Sequence, residues 1–488
     1  MKDTEVTSTD RPGIKPGHER GFGPGHEPGP GFKPGSGFRP GFDRDLTKGN
    51  LFNNLFSLAW PMMVNNSLNM LGPTIDMIWV GRLGPAAIAG VGAAGMGMMI
   101  IMPAMMGLTM GTRAMIARSI GSGDEAGANH VARQAFALGL GFSLIIACIG
   151  LFFSDAILRL LGMGDDVIAQ GGNYLRITFV GSIAMSCHFI ADGIMQSSGD
   201  AQRPMRITAF IRVLHIVLCP FLVLGWWIFP RLGTSGAALT NVFSHSIALF
   251  LGLWILFSGR TRIRLNMKNF RFDLGIIWRM VKIGTPALVS GVAQPFAMTL
   301  LIRIIASFGT LAVAAYTLSN RVQMLLFMPG AALGMASGII AGQNLGASQP
   351  DQAEKSVWIA SGMVEVFMLT GSGVILLWAS NIVGIFSSDA ELIVIASTFL
   401  KITVVGFLIM GISMVMMQAL TGVGDTVPPM VLQMIMMWTV QIPLAFYLPK
   451  VTSLGVYSIP WAGVVSTYLG TVCFFIYFRM GKWKTKSI

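Results

Sequence analysis

The sequence predicts an all-α membrane protein of twelve transmembrane helices, arranged as two six-helix bundles related by a pseudo-twofold axis along the membrane normal. Three observations predict it. Of 488 residues 53% are apolar and 11% charged, with a mean hydropathy of +0.66, well outside the composition of soluble domains. From about residue 56 to about 478, long apolar stretches alternate with short Gly, Pro or charged punctuation. Each meets the ~20 residues needed to cross ~30 Å of hydrocarbon. Finally, the second half replays the first. Pro61 answers Pro286, Gly84 answers Gly309, Gly121 answers Gly346, Asp200 answers Asp425 and Pro204 answers Pro429, all at a spacing of 225 residues. A period this long is a duplicated domain rather than a solenoid repeat.

In the first repeat, 56–80 carries Asp76 near its end, and 87–112 is crowded by Met98, Met99, Met102, Met105 and Met106. The third, 134–154, carries no charged residue. The fourth, 172–196, opens on Asn173-Tyr-Leu-Arg-Ile-Thr-Phe-Val-Gly181 and holds His188 and Asp192. Spans 207–229 and 235–257 hold His215 with Cys219, and Asn241 with His245. In the second repeat, 280–306 holds Gln294 and Arg303, 312–340 holds Arg321, and 356–379 holds Glu365. Span 396–419 opens with Ser397-Thr-Phe-Leu-Lys-Ile-Thr-Val-Val-Gly406, so that Lys401 matches Arg176, and 428–449 and 456–478 complete the set. Pro61, Pro73, Pro103, Pro220, Pro286, Pro295, Pro329 and Pro443 interrupt spans, each removing a helix hydrogen bond and permitting a bend. Pro73 and Pro220 lie next to polar residues, so bending there is a candidate link between cation binding and gating.

Six spans per repeat return the chain to its starting side, so both repeats share one orientation. Alternate loops, counted from the N-terminal flank, carry about twenty Lys and Arg against about six in the opposite set. Both termini are therefore expected in the cytoplasm of a multi-pass protein of the cell inner (plasma) membrane. The net charge of +12 is then topology and anionic-lipid contact, and no nucleic-acid partner is expected. The domains expected are a Pro/Gly-rich cytoplasmic tail at 1–45, an N-terminal lobe at 46–259, a basic linker at 260–279 and a C-terminal lobe with a basic tail at 280–488. The 1–45 segment cannot bury a core and lacks the apolar run of a signal peptide. Its His18 and His26 read as parts of a solvated tail. Cys148, Cys187, Cys219 and Cys473 fall inside spans without paired spacing, so no disulfide and no metal motif is expected.

An ionisable residue inside the membrane costs enough to count as a functional candidate. The duplication supplies an internal control, because a polar residue required by the fold should recur in both halves. Asp76, His188, Asp192, His215, Asn241 and His245 face Leu301, Ser413, Met417, Val440, Gly463 and Thr467 in the second repeat. Residues 188/192, 215/219 and 241/245 are i,i+4 pairs, and Asn65, Asn69 and Asp76 share one helix face. Four helices thus present polar stripes that must turn inward. For His188 and His245 a plain interhelical packing role stands beside the functional one, and Asp76 could instead reach interfacial water.

Motifs in order now carry a resemblance. Asp76-Met-Ile-Trp-Val-Gly-Arg-Leu-Gly84, Ile116-Ala-Arg-Ser-Ile-Gly-Ser-Gly123, Gly199-Asp-Ala-Gln-Arg-Pro204, Gln343-Asn-Leu-Gly-Ala-Ser348 and Gly422-Val-Gly-Asp-Thr-Val-Pro428 resemble those of the multidrug and toxic compound extrusion (MATE) transporters over about residues 46–480. The resemblance implies two bundles facing a central cleft that opens to one side at a time, exporting compounds against inward H⁺ or Na⁺. It places Asp76 at the N-lobe cation site of DinF-like members, with Asp192, His215 and Asn241 in the same polar network. Cys219 stands where a second carboxylate is expected, and Asp192 is a candidate to replace it. NorM-like members carry acids where Gln294 and Met410 stand here, so the chain reads as closer to the DinF-like branch. Gln294, Arg303, Arg321 and Glu365 remain C-lobe substrate or structural candidates, with an Arg321–Glu365 or Arg303–Glu365 pair open beside simple bundle-fastening or snorkelling.

The expected function is secondary active export of organic, cationic or amphipathic drugs or toxic metabolites, with H⁺ favoured over Na⁺ as coupling ion and no cofactor. Flexible Met thioethers suit promiscuous binding, although about half of the methionines of the second span must merely pack. A dedicated exporter of one secondary metabolite, or a lipid or lipid-linked oligosaccharide flippase, stands as the alternative. A membrane enzyme is disfavoured, since no Walker loop, His-Glu-x-x-His or nucleophile elbow occurs. A monomer in the lipid bilayer is expected.

Overall fold

The computed structural model describes residues 45–160, 162–268, 270–486 and 488. The expected disordered tail up to residue 44, with His18 and His26, lies outside the described residues. Among the described residues twelve long helices follow in order: α1 (Leu51–Val80), α2 (Pro85–Gly121), α3 (Glu125–Leu160), α4 (Asp165–Ser197), α5 (Gln202–Leu224), α6 (Thr234–Phe257), α7 (Leu274–Ala306), α8 (Thr310–Gly346), α9 (Pro350–Gly384), α10 (Ala390–Gly422), α11 (Val427–Val451) and α12 (Ser458–Arg479). No strand occurs among them. Several helices outrun their apolar spans, α3 beginning at Glu125 and α8 ending at Gly346, because a helix can continue past the hydrocarbon into water. The fifth stops short of the expected 229: Gly225 takes a left-handed φ of 73° and caps it at Leu224.

The duplicated punctuation has a backbone cause. Gly84 and Gly309 open α2 and α8 with φ of 115° and 100°, and Gly199 and Gly424 turn the chain after α4 and α10 with φ of 100° and 90°. Only glycine adopts such angles without strain. The repeats diverge in α11, where Ile435–Gln441 widens into a π-helical segment just before Pro443. A proline ring cannot sit against the carbonyl four residues back, and one extra residue in the turn relieves the clash.

In the first lobe α4 packs on α2, α3 and α6, and α5 closes the bundle against α1 and α6. In the second, α10 packs on α8, α9 and α12. The lobes meet through α2 with α7 and α8, and through α1 with α8. At the basic-loop end of α2 and α8 the contact is backbone on backbone. A Cβ on Gly121 would lie 1.9 Å from the Gln343 carbonyl oxygen, and one on Gly346 would lie 2.2 Å from that of Arg118. Residues 118 and 121 are the repeat counterparts of 343 and 346, so the two close approaches exchange under the pseudo-twofold axis. Gln343 Nε2 donates to Ser197 O at 2.7 Å, and Arg118 donates to Val423 O at 3.3 Å, tying the same end.

Candidate functional site

The polar stripes of α1, α4, α5 and α6 turn inward and form two clusters within the first lobe. The outer cluster centres on Asp76, which is 1% exposed. His215 Nε2 lies 3.0 Å from Asp76 Oδ1, Asn241 Nδ2 donates to Oδ2 at 2.5 Å, and Cys219 Sγ lies 3.8 Å from Oδ1. His215 and Cys219 are fully buried on one face of α5, one turn apart, as their i,i+4 spacing requires. Asn241 on α6 is only half-buried, so the carboxylate lies one side chain beneath an accessible surface.

The inner cluster lies toward the basic-loop end. His188 Nδ1 is 3.7 Å from Asp192 Oδ1, and both residues are buried. The His188 and His245 rings stand 5.4 Å apart, and Arg113 of α2 and Asn65 of α1 face Asp192. The expectation that Asp192 joins Asp76, or replaces a missing helix 5 carboxylate, is corrected here. Asp192 sits beside Asn65, eleven residues from Asp76 along α1. At 1.5 Å per residue that is about 16 Å, far beyond direct sharing of a proton or cation. Spacing along α4 fixes which face Asp192 occupies, but not the depth at which α4 meets α1.

Between the clusters sits a residue the stripe pattern missed. Arg212, one turn before His215, is 3% exposed and donates from Nη2 to Asn69 Oδ1 at 3.2 Å. It acts electrostatically on both Asp76 and His188. Gly72 leaves room for it: a Cβ there would lie 2.4 Å from Arg212 Nη1. The signal was present, because Arg212 lies inside the fifth apolar span and its repeat counterpart, 225 residues on, is Met437. Arg113, opposite Gly338, carries the same signal at the edge of the second span. Asn65, Asn69 and Asp76 of α1 thus touch the inner cluster, Arg212 and the outer cluster in turn.

The C-lobe candidates do not come together. Gln294 and Arg321 line a cavity of about 660 Å³ inside that lobe, with Tyr316, Asn320 and Gln441. Arg303 lines a separate recess at the far end of α7 and α11. Glu365 of α9 sits under the backbone of Gly411 and Ile412 in α10. Among the described residues neither Arg321–Glu365 nor Arg303–Glu365 forms an ion pair, and the two arginines line different cavities. Between the lobes, α2, α7, α10 and α11 enclose a cavity of about 500 Å³ lined by Met98, Met99, Met102 and Met106, with Gln294 and Gln418. Met99 and Met106 are 60% and 61% exposed, whereas Met105 is packed away at 4%.

The MatE family profile matches residues 61–221 and again 286–447, one match per repeat, each beginning at its paired proline. The "Probable multidrug resistance protein YoeA" of Bacillus subtilis (strain 168) is 26% identical over 449 residues, covering 91% of this chain and 96% of that protein. The "Probable multidrug resistance protein NorM" of Thermotoga maritima is 25% identical over 446 residues, covering 89% and 93%. Among solved structures, "Crystal structure of MATE in the bent conformation" superposes with a TM-score of 0.83 at 25% identity, covering 89% of this chain and 96% of that one.

Proposed function

The chain belongs to the MatE family of multi-pass membrane transporters, and on that premise we propose that it exports organic cations and amphipathic drugs in exchange for protons bound at Asp76 of the first lobe. The observation that carries the reading is the lobe asymmetry. A buried carboxylate held by His215 and Asn241 stands at a position where the second repeat has Leu301. A buried acid is costly unless its charge is balanced or neutralised, so occupancy by a cation bears directly on lobe energetics. Hard alkali cations favour several oxygen ligands. Around Asp76 the neighbours are an imidazole, a thiol and the amide nitrogen of Asn241, which supports H⁺ over Na⁺.

Exchange follows if the cation binds one conformation better than the other. The contacts joining Gly121 to Gln343 and Gly346 to Arg118 close the basic end of the cleft. We assign that end to the cytoplasm, with both termini, from the Lys and Arg of its loops. The Met-lined cavity between the lobes supplies an adaptable apolar surface for the exported compound. That Gln294 and Met410 are not acidic supports the DinF-like branch.

The test is efflux from proteoliposomes under separately imposed pH and Na⁺ gradients. Wild type is expected to respond to the pH gradient, and Asp76→Asn to lose at least about tenfold in rate, equivalent to ~1.4 kcal/mol in activation free energy. Normal ΔpH-driven efflux by Asp76→Asn, or drive by Na⁺ alone, removes the assignment. A second reading, a dedicated exporter of one metabolite, is favoured by the C-lobe cavity, where Gln294, Tyr316, Asn320, Arg321 and Gln441 form a defined polar set. Competition among chemically unrelated drugs separates the two.

A further inference from the structure

We propose that Asp76, His215 and Cys219 form a binding site for a borderline-soft divalent transition metal of the zinc class. This deepens the reading of the outer cluster as a cation site by naming a second ion it takes. One oxygen, one imidazole nitrogen and one sulfur, all from buried residues, lie within 4.8 Å of one another. Two of the separations are 3.0 Å, from His215 Nε2 to Asp76 Oδ1, and 3.8 Å, from Cys219 Sγ to the same oxygen.

The spacing fits a metal without backbone movement. Zinc holds sulfur at ~2.3 Å and nitrogen or oxygen at ~2.0–2.2 Å in a tetrahedron, which sets donor-to-donor edges of about 3.3–3.6 Å. The donor atoms therefore need to shift by about an ångström or less, within side-chain reach. His215 and Cys219 project from one face of α5, while Asp76 comes from α1, so the ion would bridge two helices.

The donor chemistry narrows the ion. Na⁺, Mg²⁺ and Ca²⁺ are hard cations that favour several oxygen ligands, whereas thiolate and imidazole favour zinc and its neighbours. A carboxylate and a thiolate would bring two negative charges that balance a divalent ion, so the occupied site adds no net positive charge beside Arg212. Three protein ligands leave one coordination position open, the arrangement of zinc sites that exchange a ligand rather than lock the ion structurally. Half-buried Asn241, bonded to the other carboxylate oxygen, marks the direction of entry.

The plain alternative is a His215–Asp76 pair beside a cysteine that merely packs. The second repeat argues against the fold requiring these groups. The residues 225 positions on are Leu301, Val440 and Leu444, and Leu301 and Leu444 share one apolar cluster with Ala445 and Ala462. The scaffold thus fills the equivalent place with hydrocarbon, while the first repeat spends three metal-ligating side chains there.

The experiment uses the purified full-length protein in lipid nanodiscs, titrated with Co²⁺ as a spectroscopic substitute for zinc. Wild type is expected to develop thiolate-to-cobalt charge-transfer absorption and to lose it on adding Zn²⁺. Cys219→Ala and Cys219→Ser should abolish the band. His215→Gln and Asp76→Asn should weaken binding about tenfold or more, whereas Cys148→Ala/Cys473→Ala should retain both band and affinity. A wild type that saturates without a thiolate band overturns the proposal, as does a band that persists in Cys219→Ala. The wild-type titration decides by itself should a variant fail to fold. Cobalt uptake without ΔpH-driven efflux supports the metal site and removes the proton-coupling reading; efflux without cobalt uptake does the reverse.

Discussion

Replacing Gly121 with alanine should loosen the closed end of the cleft without touching either polar cluster. The new Cβ would stand 1.9 Å from the Gln343 carbonyl oxygen, a backbone atom that no side-chain rotation can move. Ordinary van der Waals contact begins at 3.4 Å, so α2 and α8 must separate by about 1.5 Å at this point. A shift of that size takes the Gln343 Nε2 to Ser197 O bond, now 2.7 Å, out of hydrogen-bonding range. Overpacking of this kind costs about 1–3 kcal/mol, charged against the closed arrangement alone. The gain of about 1 kcal/mol in helix propensity from Gly to Ala applies to closed and open states alike and cancels. The closed-to-open ratio should therefore fall about 5- to 150-fold. Hydrogen exchange of the peptides spanning residues 112–123 and 337–348 reads this directly, because amides buried at the lobe contact exchange through opening. Gly92→Ala is the control, since nothing lies within 4 Å of its added Cβ. Exchange at both helix ends within twofold of wild type in Gly121→Ala would refute the reasoning.

Two further outcomes follow from the charged groups. Asp192→Asn leaves the Arg113 guanidinium facing a neutral amide, and should cost about 1–3 kcal/mol in thermal stability, less than a fully enclosed pair because Arg113 is only half-buried. Adding Arg113→Gln should recover at least half of that loss, and an additive double variant would show the two groups uncoupled. At the start of α7 the Ile276 amide and His130 hold the Asp273 carboxyl below the usual carboxylate range. A depressed acid contributes stability that is complete above its unfolded pKa of ~3.9 and disappears as pH falls through its folded value. Asp273→Ala should thus lower stability near neutrality by at most about 1 kcal/mol once solvent screening at this part-exposed side chain is allowed for, with the difference from wild type shrinking as pH falls below ~3.9. A constant difference in unfolding temperature across that range would contradict it.

The parts of this protein that are local along the chain were legible in its residues. Among the described residues eleven helices, α2 to α12, are long and apolar enough to cross a membrane, and the paired glycines 84/309 and 199/424 recur because one backbone angle is needed twice. The stripe Asn65, Asn69 and Asp76 follows from helical periodicity, and each member meets a polar partner across the helix interface. The fifth helix ended early because a left-handed glycine outweighed the apolar residues after it. Arg212 and Arg113 were within reach of the same repeat comparison that singled out the acids and histidines.

What one strand of sequence determines is therefore the rotational phase of each helix and the chemistry it presents. The axial offset between neighbouring helices is set only when their surfaces pack, since side-chain spacing carries no record of how far one helix slides along another. That offset placed Cys219 against Asp76, although the spacing of the cysteines alone showed no metal motif. It also carried Asp192 down to Asn65 and Arg113, about 16 Å of helix from the carboxylate it was expected to join.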